Sequence, residues 1–234
     1  MGAVGLRTLA SLRELIQEYS SVQDLEGIFD EVFGTDEATP AEIRLKKGKY
    51  GPFFKIAAEE LWPLIQWLKI RHPKAKAKLV IGNQNYDAKV DLGSGEIFRV
   101  EIGLAIDGHQ NSLLMEKIGR DGHGSPNSTY ERVSSGATKS VKTTNPRTLV
   151  PVSAKVSDSV EKIRKIAVKK CAKSYDPLTR LVLFLEEDFG IRGQNLENLT
   201  MQTSSLLKTF AWKVQQVDVI GDKCGLLGGW TRLD

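Results

Sequence analysis

Residues 78–102 carry the pattern that most restricts this chain. Lys78-Leu79-Val80-Ile81 is a short apolar run. Tyr86-Asp87-Ala88-Lys89-Val90-Asp91-Leu92 then alternates, and Gly93-Ser94-Gly95 follows as a turn signal. Glu96-Ile97-Phe98-Arg99-Val100-Glu101-Ile102 alternates again and is rich in β-branched and aromatic residues. Two period-two runs around a Gly-rich turn predict an antiparallel hairpin.

Helical periodicity surrounds the hairpin. Leu9, Leu12, Leu15, Ile16, Leu25, Ile28, Phe29 and Val32 recur at threes and fours, with Ser20-Ser21 as a break. A second helical stretch covers 53–71, and Pro63 inside it either kinks the helix or starts a new one. A helix over 108–119 opens on Asp107 and Gln110, which have the spacing of a capping pair. This helix is expected to cover the sheet. Residues 121–157 fit either an extended hairpin or a loop. A basic amphipathic helix is predicted over 158–174, a strand buried on both faces at 181–185, a helix over 200–214 and a last strand at 217–220. The Gly-rich stretch 225–234 is read as a tail. This order predicts an α/β fold with a mixed β-sheet flanked by helices.

With 234 residues, the chain can bury a substantial core without staples. Two cysteines, Cys171 and Cys224, cannot build a disulfide framework or a four-thiolate zinc site. No stretch reaches the roughly 18 apolar residues that would cross a bilayer, and the N-terminal apolar run is too short for a secretory signal. A cytoplasmic protein is expected, without a membrane partner.

The net charge of +4 is unevenly spread. Residues 1–45 hold three basic and nine acidic groups, which sets them apart as an acidic helical N-terminal region appended to an α/β domain over 46–234. Residues 132–180 hold twelve basic groups against three acidic ones. Such a concentrated field suits a polyanion such as nucleic acid. Lys139, Lys142, Arg147, Lys162, Lys165, Lys169 and Lys170 are the candidate phosphate contacts.

The chemistry centres on the hairpin. Asp87 opens one strand and Glu101 lies near the end of its partner. Antiparallel pairing can bring two such carboxylates together, giving a hard oxygen site suited to magnesium or manganese.

Asn85-Tyr86-Asp87-Ala88-Lys89-Val90, the Gly-Ser-Gly turn, Phe98-Arg99-Val100-Glu101-Ile102-Gly103 and the helix start at Asp107-Gly108-His109-Gln110 resemble the core of PD-(D/E)XK nucleases. The resemblance covers about residues 53–120. It implies a restriction-endonuclease-like fold and a metal-dependent endonuclease hydrolysing phosphodiester bonds of DNA, in restriction, phage defence or nucleic-acid processing. It matches Asp87 and Glu101 to the family's two metal-binding acids. Glu60, beside Glu59, matches an acid of the preceding helix, and Gln110 a glutamine at the start of the next one. A homodimer is a further implication.

The family's lysine would stand two residues after Glu101, where this chain has Gly103. Either the cation comes from elsewhere, with Lys89 on the hairpin and Lys117 two turns past Gln110 as candidates, or the domain is inactive and only binds nucleic acid or protein.

Overall fold

The computed structural model describes residues 13–33, 56–121, 128–135, 138–145, 151–186 and 190–232. Seven strands form one sheet in the order β1-β2-β3-β4-β7-β8-β9, and β5 and β6 pair separately. The strands are β1 (Ser20–Ser21), β2 (Lys76–Leu79), β3 (Ala88–Asp91), β4 (Ile97–Leu104), β5 (Thr129–Ser135), β6 (Thr138–Asn145), β7 (Thr179–Leu185), β8 (Gln216–Gly221) and β9 (Gly225–Thr231). The helices are α1 (Val22–Phe33), α2 (Trp62–Arg71), α3 (Gly108–Asp121), α4 (Val152–Cys171) and α5 (Gln194–Leu207).

β1 to β4 pair antiparallel in succession; β4, β7 and β8 run parallel; β9 returns antiparallel. The sheet is therefore mixed, as the element order predicted. Parallel neighbours need a crossover, and α4 and α5 provide the two crossovers here. The predicted hairpin forms about its turn, where Gly93 and Gly95 take φ of 78° and 86°. Those are left-handed values that glycine adopts without a Cβ penalty. The Asp91 side chain accepts from Gly93 N at 2.8 Å and closes the turn.

Alternation along the strands divides two apolar layers. Ala88, Val90, Phe98, Val100, Ile102, Val182, Phe184 and Ile220 pack with α1 and α2. Leu181, Leu183, Leu185, Val217, Val219 and Leu227 pack with α4 and α5 on the other face. β7 is thus buried on both faces, as its unbroken apolar run requires.

Residues 13–33, within the acidic N-terminal region, belong to the first layer: Ile16, Leu25 and Phe29 are buried in it, and β1 extends the sheet beyond β2. Ser21 and Asp24 cap α1 reciprocally, with Ser21 Oγ donating to Asp24 Oδ2 at 2.6 Å and accepting from Asp24 N at 3.1 Å. The break at Ser20-Ser21 is therefore a strand bridge followed by a helix start.

A π-helical turn, Ala57–Leu61, runs into α2, and Pro63 stands in the first turn of α2, which is the second of the two readings.

Of the two readings for residues 121–157, the paired one holds where the chain is described: 129–135 and 138–145 pair antiparallel and pack on α3. Two other expectations change. The helix predicted over 158–174 begins at Val152 and ends at Cys171. The Gly-rich stretch read as a tail is β9, whose Gly228 and Gly229 lie close to Thr203 and Arg71. Among the described residues, no helix is long and apolar enough to cross a membrane.

A buried acid ties the layers together at one end. Asp218 on β8 is 1% exposed and accepts from Trp67 Nε1 at 2.8 Å, Arg71 Nη2 at 2.6 Å and Gln216 Nε2 at 2.7 Å. Asp218→Ala leaves the buried indole N–H of Trp67 without its acceptor, which costs about 1–3 kcal/mol. Thermal unfolding should shift down by about 2–4 °C per kcal/mol; an unchanged midpoint would show the network to be dispensable.

Candidate active site

Asp87 and Glu101 lie on the α4 side of the sheet. Ala88 and Val100 face the opposite layer, so their neighbours Asp87 and Glu101 share the other face. Asp87 is half-buried, and its Oδ2 accepts from Ile102 N at 2.7 Å. The Asp87 carboxyl is pushed up to about 6. Burial is the largest cause, followed by the negative charge of Glu101, which places the two acids within electrostatic reach.

Glu101 is 5% exposed. A carboxylate so deeply buried requires partners, and α4 supplies them. Lys170 Nζ donates to Glu101 Oε1 at 2.5 Å and to Ile102 O at 2.7 Å. Lys173, just past the end of α4, reaches the same Oε1 at 3.2 Å. The cover over Glu101 is thus α4, not the helix at 108 that the sequence led us to expect. α3 packs on β5 and β6 instead.

Gly103 has a steric reason. A Cβ there would stand 2.9 Å from Lys170 Cε, 3.0 Å from Ile166 Cγ1 and 3.1 Å from Leu183 Cδ2. The strand position where the family pattern has its lysine is left bare in this chain. The stem of Lys170 crosses that space.

Tyr175 completes the cluster. Its hydroxyl is closed to solvent and has no hydrogen-bond partner. Burial, then the charges of Glu101 and Asp87, hold its pKa above the ordinary tyrosine value. The phenol is thus a buried donor left unused beside two acids.

The other sequence candidates fall elsewhere. Gln110 uses its amide as a clamp on β5, with Oε1 accepting from Tyr130 N at 2.8 Å and Nε2 donating to Tyr130 O at 3.1 Å. Its backbone N–H is capped by Asp107, as the spacing predicted. Gln110 is therefore a structural pin between α3 and the second hairpin.

Lys117 pairs with Asp121 one turn along α3, at 2.7 Å, and does not supply the cation at the carboxylates. Lys89 lies on β3 beside the Tyr86 ring. Glu60 is half-buried on the π-helical turn. Among the described hydrogen bonds and ion pairs of Asp87 and Glu101, none involves Glu60.

Of the candidate phosphate contacts, Lys170 is buried on Glu101, so it cannot act as a surface cation. Lys162 pairs with Asp158 at 2.9 Å. Lys165 and Lys169 stand exposed on α4, and Lys142 exposed on β6. The side chain of Lys139 and the whole of Arg147 lie outside the described residues.

Lys173 and Tyr175 escaped the sequence reading, as did the position of Lys170 at the acids. One signal was present. A glycine inside a strand marks a close approach by another group, and Gly103 was that mark.

Two carboxylates form the acidic part of the site; among the described residues, no group of three or more His, Cys, Asp or Glu gathers as a metal cage. The oxygen donors fit magnesium or manganese. Such ions are commonly held by one or two carboxylates, with water and a substrate phosphate filling the remaining positions.

No family model matches the chain, and no curated protein or solved structure gives a match to it.

Two outcomes follow from this geometry. Glu101→Gln removes a charge that raises the Asp87 pKa, so the Asp87 carboxyl should titrate below about 6 in that variant. Carboxyl carbon chemical shifts followed against pH measure this directly. In the wild-type chain the raised group favours folding at pH below the unfolded carboxyl value of about 4. That contribution fades as pH climbs through about 6. Separately, Gly103→Ala overpacks the space under Lys170 and should cost about 1–3 kcal/mol in denaturant unfolding. A neutral result would mean that the lysine stem is not held there.

Proposed function

We propose that this protein is a metal-dependent endonuclease with a restriction-endonuclease-like core, hydrolysing phosphodiester bonds of DNA. The observation that carries the reading is Lys170. Its ammonium lies 2.5 Å from Glu101, over the backbone position where the family pattern would plant its own lysine. A helix-borne cation then does the work of a strand-borne one. The alternative, a nuclease-like domain that only binds, drew its support from Gly103, and that support goes once Gly103 is the slot for Lys170.

In this reading Asp87 and Glu101 hold magnesium or manganese. A divalent ion bound there would polarise the scissile phosphate and lower the pKa of a bound water. Lys170 is fixed by two acceptors, so its charge is preorganised where negative charge grows on the phosphate. Lys173 is half-exposed and makes one long contact, which leaves it free to turn from Glu101 to a phosphate oxygen. Asp87 must be ionised to take a cation, so cleavage should rise as pH passes about 6.

Lys170→Met and Glu101→Gln should each reduce magnesium-dependent DNA cleavage, assayed on duplex plasmid and on single-stranded circles, on the order of 100-fold or more. Full activity in both would sink the assignment. The double variant Glu101→Leu/Lys170→Met replaces a buried ion pair with apolar groups of similar volume. Such replacements are often neutral or stabilising, so it should stay folded while inactive. That outcome separates a functional pair from a structural one.

A further inference from the structure

The carboxylate pair stands at the end of a second arrangement on the same face. Lys78 on β2 lies directly opposite Lys89 on β3, and Lys89 directly opposite Arg99 on β4. With strands about 4.8 Å apart, three cations form a row across the sheet. Like charges directly opposite one another destabilise a sheet, so sheet stability does not explain the row.

Its position does. Lys89 is two residues from Asp87 and Arg99 two from Glu101, so each lies on the same face about 6.6 Å along its strand.

Aromatic and apolar surface is interleaved with these cations. The Lys78 ammonium sits 4.8 Å from the Tyr19 ring centroid, and the Arg99 guanidinium 5.2 Å from that of Tyr86. Arg99 also pairs with Asp176 at 2.5 Å, with both side chains more than a third exposed. A groove of about 200 Å³ opens here, lined by Tyr19, Lys89, Ile97, Arg99, Asp176 and Leu178. It is smaller than the roughly 300–1,000 Å³ of sites for whole small molecules. Ile97 and Leu178 are 48% and 55% exposed, an apolar floor left open beside a cationic row.

We propose that this face of β2, β3 and β4 binds a single nucleic-acid strand. Its phosphates lie on Lys78, Lys89 and Arg99, and one base enters the groove against Tyr19. Cations interleaved with aromatic rings are what single strands require, because the backbone needs charge and unstacked bases need a flat partner. A duplex keeps its base faces stacked inside and has nothing to offer the groove. The proposal rests on the nuclease reading for what happens next: the row hands a phosphodiester to Asp87 and Glu101, two residues along.

Binding can be measured apart from cleavage. Fluorescence anisotropy of a labelled single-stranded oligonucleotide, titrated with the full chain in EDTA, reads affinity alone. The strand should bind at least tenfold more tightly than a duplex of the same sequence. Lys89→Glu and Arg99→Glu should each weaken it tenfold or more. Lys89→Gln and Arg99→Gln should make the dependence of log affinity on log salt shallower by about 0.7 per cation removed. Tyr19→Ala should weaken binding about tenfold.

The glutamine variants keep the test valid where a glutamate variant fails to fold, with circular dichroism as the check. Equal binding of duplex and single strand, equal binding of polyglutamate, or undiminished binding by folded Lys89 and Arg99 variants overturns the proposal. Each can occur while magnesium-dependent cleavage persists, so failure of the platform and failure of the nuclease reading are distinguishable.

Discussion

A carboxylate on a sheet face that a helix covers has to be met by charge, and the Glu101–Lys170 pair is where this molecule meets that demand. Glu101 sits on β4, the strand where the antiparallel half of the sheet joins the parallel half. Lys170 sits in the last turn of α4, the crossover from the second hairpin to β7. The pair therefore fixes how close α4 lies to β4. That closeness requires a residue without a side chain at position 103. Removing one partner would strand a buried charge, which is far worse than having neither. Replacing a buried pair by apolar groups of similar volume is often neutral or stabilising, so the pair constrains the packing of α4 more than it adds to stability.

The same face shows a gradient of cover. Toward β7 and β8 it lies under α4 and α5 and is apolar. At β4 it carries Glu101, buried under Lys170 of α4 and beside Tyr175. At β3 and β2 it carries Lys89 and Lys78, with Ile97 of β4 and Leu178 exposed beside them. Both acids are desolvated: Glu101 is met by Lys170 and Lys173, and the Asp87 carboxyl is pushed up by its burial and then by the charge of Glu101.

Much of the scaffold was legible in the residues. The hairpin about Gly93 and Gly95, the double burial of β7 and the Asp107 cap all follow from local rules of alternation, turn geometry and capping. β9 was not legible, because its glycines read as loop until Thr203 and Arg71 are seen close against Gly228 and Gly229. Gln110 was misread for a similar reason. Its type and place fit a catalytic helix start, but its side chain is used by Tyr130, twenty residues away.

By itself, the sequence determined the hairpin that carries the acids: Asp87 and Glu101 sit in alternating strands joined by a tight turn. The register of Ala88 opposite Val100 then puts them on one face. Only the tertiary structure decided the cations. Lys170 and Lys173 are about seventy residues from Glu101, and nothing in local spacing distinguishes them from Lys165 or Lys169 on the same helix. The packing angle of α4 on β4 selects them. The sequence holds the trace of that angle in a single missing side chain, at Gly103.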